Sequence, residues 1–130
     1  MRALLFTFLL AAGCATAPPT AQNYLAGTNW LRVDDEQANP HGATLSFESA
    51  RASGHTGCNR WFGAVSHDGE ALRFGDIGMT RMACVSEMQA GAERRFLDVL
   101  SATRYAHYDR DVLVLLDERQ NVIARFNRAN

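Results

Sequence analysis

Any chemistry in this chain has to come from sulfur and imidazole set in turn-forming sequence. Cys58 stands in Gly54-His55-Thr56-Gly57-Cys58-Asn59-Arg60 and Cys84 in Thr80-Arg81-Met82-Ala83-Cys84, 26 positions apart. Three uses are open to such a pair. Joined, the sulfurs staple two loops. Reduced, they are inert thiols or a redox couple, although a couple of the thioredoxin kind carries Cys-x-x-Cys at a helix start. With His55 they offer three zinc ligands, and nothing in the chain supplies a convincing fourth. Asn59 and Thr80 have two readings as well. Their side chains satisfy turn amides locally, or with Arg60 and Arg81 they form a binding surface on exposed loops. The chain contains no Gly-x-Ser-x-Gly, His-Glu-x-x-His or phosphate-loop motif, and no activated nucleophile or paired acid and base is visible. The expectation is a protein that is not an enzyme and has no catalytic residue, metal or cofactor.

The N-terminus bears on which use of sulfur is available. Arg2 followed by the apolar run Ala3–Ala12 has the form of an export signal, and the run is far short of the roughly 20 residues a spanning helix needs. Leu10-Ala11-Ala12-Gly13-Cys14 has the form of a lipobox, with Ala11 where leucine is usual. Residues 1–13 are then a cleaved signal and Cys14 carries the lipid, which holds the protein on a membrane. Ala15 rather than aspartate after Cys14 points to an outer-membrane lipoprotein facing the periplasm. The alternative is cleavage after Ala15-Thr16-Ala17, giving a soluble secreted or periplasmic protein, with Pro18 an obstacle to that cut. The small, uncharged, proline-bearing stretch after Cys14 reads as a tether up to residue 25, with one domain over 26–130. An oxidising compartment leaves Cys58 and Cys84 as an even pair, and a structural disulfide is the expected state.

Composition excludes one class of partner. The full chain carries 13 basic and 14 acidic residues, with no basic run or patch, so nucleic acid is a poor candidate. The partner is instead an unidentified envelope protein or small ligand. Asp34-Asp35-Glu36 reads as a solvated loop, and Trp61, Phe62 and Met82 as core.

The elements that must position these residues are mostly strands. Asn29–Val33, Ala43–Glu48, Arg51–Thr56, Trp61–Ser66 and Ala71–Phe74 have strand patterning, with a turn at His67-Asp68-Gly69. Arg104–Tyr108, Val112–Leu116 and Val122–Phe126 close the chain, and Val112–Leu116, apolar on both faces, reads as the most central strand. Ser86 and Gln89 form a capping box before one helix. Its apolar face is Met88, Ala92, Phe96, Val99 and Leu100, with Glu93, Arg94 and Asp98 on the other side. The fold class is α+β: a curled antiparallel sheet, an open or closed barrel, with one main helix packed on it.

In this order and spacing the motifs resemble the META domain, the HslJ-like family of bacterial envelope proteins. The resemblance rests on Trp30, on Gly54-x-x-Gly57-Cys58-Asn59, on Thr80-x-Met82-x-Cys84, on Phe96-Leu97 in the helix and on Leu113-x-Leu115 near the end. It implies a small exported or lipid-anchored domain linked to heat shock, envelope stress or antibiotic tolerance. It implies no established activity and no agreed ligand. An alternative of another kind is a periplasmic protein that binds and inhibits lysozyme.

Overall fold

The computed structural model describes Gly13, residues 24–38 and residues 42–129. The signal reading of residues 1–13, apart from Gly13, and the lipid site at Cys14 lie outside the described residues. The domain begins earlier than the tether reading placed it. Leu25 is 0% exposed in the core, and the turn after it is tied to the sheet by Gly27 N–H donating to the Phe47 carbonyl at 2.7 Å.

Alternation of apolar and polar residues forces each strand to bury one face. Among the described residues eight strands result: β1 Asn29–Arg32, β2 Thr44–Phe47, β3 Arg51–His55, β4 Arg60–Asp68, β5 Ala71–Met79, β6 Tyr105–Tyr108, β7 Val112–Leu116 and β8 Val122–Ala129. They pair antiparallel in chain order and curl into a ring, closed where β8 returns to β1 with Trp30 opposite Arg128. The ring is not a regular barrel. β5 and β6 meet only at Ala71 and Tyr105. α1, Glu87–Ala102, is inserted between these two strands in sequence and packs against β5.

The core is a single cluster in which Trp30, Leu45, Phe47, Trp61, Leu72, Leu113, Leu115 and Phe126 face inward. Phe96 of α1 enters it edge-on, its ring 5.6 Å from Trp61 and 6.5 Å from Phe126 between centroids. In a closed ring no strand is central, so β7 does not hold the privileged place its composition suggested. It lies between β6 and β8 like any other strand, with Val112 and Val114 only half-buried. The hairpin after β4 also shifts: β4 runs through His67 and Asp68, and Gly69-Glu70 makes the turn, with Gly69 at φ 59°.

The helix follows its sequence signals with three corrections. Ser86 caps it, its Oγ accepting from Gln89 N–H at 3.2 Å, but Gln89 Oε1 returns to Val85 N–H rather than to Ser86. Met88 is exposed, because the first turn precedes the point where the helix meets the sheet. Glu93 lies inward, as described below. The acidic stretch is likewise not simply solvated: Asp35 has an 8% exposed side chain and accepts from Arg95 Nε at 2.9 Å and Nη2 at 3.1 Å. Those bonds clamp the 3-10 turn Glu36–Ala38 to α1.

Burial pushes the Asp35 carboxyl upward. The hydrogen bond and charge of Arg95, the charge of Arg32 and the Gln37 amide outweigh it and hold the group below its usual range. A carboxyl lowered on folding contributes stability that is complete above its unfolded value, about 3.9, and is lost as pH falls through the lower folded value. Asp35→Asn should therefore melt earlier than the wild type at neutral pH. The gap should close as pH drops below about 4. A gap that persists unchanged at pH 2 would show that the ion pair is not the source.

Gly54 shows what the sheet requires of one position. A Cβ there would overlap the Thr44 carbonyl oxygen, which accepts the Trp61 indole N–H at 3.1 Å. Gly54→Ala should break that bond and destabilise the fold by about 2 kcal/mol or more. Denaturant titration followed by tryptophan fluorescence reads it, and an unchanged midpoint would contradict the packing described.

Candidate functional site

The two cysteine motifs meet. The turn from β3 to β4 is built by Thr56, Gly57, Cys58 and Asn59. Gly57 takes φ 102°, a conformation that favours glycine. Thr56 organises the turn with its hydroxyl, whose Oγ1 accepts from the N–H groups of Cys58 (3.1 Å) and Asn59 (2.9 Å) and donates to Glu93 Oε2 (2.6 Å). The segment after β5 runs alongside, and Cys58 and Cys84 are joined by a disulfide with Cα atoms 5.5 Å apart.

Asn59 is the hub of this arrangement. It is 1% exposed, and both ends of its amide are used. Oδ1 accepts from Met82 N–H (2.8 Å) and from Thr80 Oγ1 (3.1 Å). Nδ2 donates to the Met82 carbonyl (3.2 Å) and to Glu93 Oε2 (3.0 Å). Thr80 Oγ1 in turn accepts from Arg60 N–H at 3.1 Å. The asparagine thus plays the part of a strand, pairing with both backbone groups of Met82 where no ladder exists. Glu93 receives the remaining donors, so a carboxylate on the helix ties the turn to α1.

These bonds bring Asn59, Thr80, Cys58 and Cys84 together. They leave Arg60 and Arg81 facing solvent. Met82 and Phe62 are not core: they are 65% and 49% exposed, because Met82 is held by its backbone and Phe62 falls on the outward register of β4. The zinc set of His55, Cys58 and Cys84 is not assembled. Oxidised sulfurs offer no thiolate, and His55 Nδ1 accepts from Gly57 N–H at 3.1 Å. The carboxylate that comes within 4.8 Å of both sulfurs is that of Glu93.

Glu93 is the residue that reading the sequence missed. The signal was present, since Glu93, Phe96 and Leu100 stand at helical spacing on one stripe. A charge on that stripe was assigned to solvent because its partners come from loops remote in sequence.

The same motifs decide the family. The META domain model matches residues 23–130. The chain belongs to the META domain family. Solved structures agree with the fold of this META domain. It is similar to a protein from Burkholderia xenovorans solved by NMR, at 26% identity and TM-score 0.67, over 89% of this chain and 94% of that one. A crystal structure of a DUF4847 family protein from Bacteroides vulgatus shares the fold at 17% identity and TM-score 0.62, over 84% of this chain and 96% of that one. No curated protein matches. Family membership supports an envelope-related protein, and among the described residues no helix is long and apolar enough to cross a membrane.

Proposed function

We propose that this META domain is a non-enzymatic, exported module, anchored by a lipid on Cys14 as an outer-membrane lipoprotein facing the periplasm. It supports envelope stress or antibiotic tolerance by binding a partner through the loops of the two cysteine motifs. One observation carries the reading. The polar groups nearest the disulfide, Asn59, Thr80 and Glu93, are all engaged in internal bonds, so the reactive-looking constellation is structural. The charged residues of the motifs that face solvent are Arg60 and Arg81. Exposed charged groups at a strand end and on the loop beside it, fixed by a rigid frame, suit recognition rather than catalysis.

The test is the double substitution Arg60→Ala with Arg81→Ala. Both side chains are exposed, so the melting temperature should move by no more than a degree or two. Envelope-stress survival should fall to that of a strain lacking the protein. Full survival with the folded double variant present in the envelope would reject the surface.

A further inference from the structure

The outward face of β3, β4 and β5 carries a pattern that the cysteine motifs do not explain. Along β4, Arg60, Phe62, Ala64 and Ser66 point to solvent. Register places His55 opposite Arg60, Ser53 opposite Phe62 and Arg51 opposite Ala64 on one flank, and Arg73 opposite Ser66 on the other. Strands lie about 4.8 Å apart and rise about 3.3 Å per residue. Arg51 and Arg73, two strand spacings apart across β4 and staggered by two residues along it, therefore stand roughly 12 Å apart, and Arg60 lies about 13 Å along β4 from the position facing Arg51.

Three properties mark this face. First, Arg51, Arg60 and Arg73 enter no ion pair among the described residues, whereas Arg32 and Arg95 are held by Asp34 and Asp35. Second, the protein is close to neutral, with 13 basic and 14 acidic residues. These three strands hold Arg51, Arg60 and Arg73 against Asp68 and Asp76, a surplus of one positive charge, with Glu70 in the turn between β4 and β5. Third, Phe62 is exposed but not loose. Its ring lies over Gly78, where an added Cβ would collide with it. The ring borders an open groove of about 700 Å³ lined by Ser53, His55, Arg60, Phe62 and Thr80.

We infer that this face docks an extended acidic peptide whose carboxylates, about four residues apart, flank an apolar side chain. Arginine forks match carboxylates in two-point geometry, the arginine spacing equals about four residues of extended chain, and the groove beside Phe62 accepts the apolar group. An anionic bilayer fits less well, because Asp68 and Asp76 interrupt the basic surface that a flat anionic partner would cover. The inference deepens the binding role proposed above and rests on it.

The probe is a labelled Glu-Ala-Phe-Ala-Glu peptide titrated into the purified protein at low salt, read by anisotropy and by amide shifts. Binding should be submillimolar, with shifts confined to β3, β4 and β5. It should weaken about tenfold or more in Arg51→Ala with Arg60→Ala, at an unchanged melting temperature, and again on raising salt. No binding would overturn the inference. So would equal binding of Lys-Ala-Phe-Ala-Lys, or binding to phosphatidylglycerol vesicles but not to the peptide. The survival assay on the Arg60 and Arg81 variant is separate. Lost survival without peptide binding keeps the binding role and rejects the acidic peptide; peptide binding with full survival rejects the envelope role instead.

Discussion

Asn59→Asp should destabilise the domain by about 3–5 kcal/mol, although it replaces one heavy atom. The nitrogen that now donates to Glu93 Oε2 and to the Met82 carbonyl would become an oxygen facing two acceptors at about the same distances. Two carboxylates would then share a site that is sealed from water at the asparagine. The loss has two parts, unmade donors and like-charge repulsion, and a second change separates them. Glu93→Gln in the same background supplies an amide donor and removes one charge, so it should recover part of the loss. The Met82 carbonyl stays unpaired, so recovery is incomplete. Urea unfolding of wild type, both single variants and the double variant gives the coupling energy. If the two changes simply add, the contact between Asn59 and Glu93 does not carry the loop.

Replacing both cysteines, Cys58→Ser with Cys84→Ser, should cost about 3.5 kcal/mol from loop entropy alone. For a domain of this size that lowers the melting temperature by roughly 15 °C. The fold itself should survive, because the ring closes through backbone pairing between β8 and β1 and the core cluster does not include either cysteine. Reduction of the wild type should give the same shift. A change of only a degree or two would mean that Asn59 already restrains the loop and the disulfide adds nothing to stability.

These two effects act on the same small structure, and their relation is physical. The disulfide restricts the unfolded chain, whereas the asparagine satisfies backbone groups in the folded one. Neither requires the site to react with anything. The Asp35–Arg95 pair works in the same way, fastening the loop after β1 to α1.

Much of this could be read along the chain. Alternation along β2 located that strand, since one buried face imposes a period of two on any sequence that forms it. Ser86 announced the start of α1, and Phe96, Val99 and Leu100 its buried stripe, for similarly local reasons. The glycine and cysteine motifs were specific enough to indicate the META family. Exposure was harder: Phe62 and Met82 were misread because apolar character predicts burial only on average. Outward register in one case, and a backbone anchored by Asn59 in the other, left them in solvent.

What the sequence by itself determined was local: the alternating strands, the capped helix, the turn residues and the two motifs that contain Cys58 and Cys84. What only the tertiary structure decided was which of these meet. Closure of the ring at β8 and β1, the burial of Leu25, the reach of Glu93 to Asn59 and the alignment of Arg51, Arg60 and Arg73 on one face all join residues far apart in the chain. Such contacts depend on how the whole sheet curls, and no short window of sequence encodes the curl.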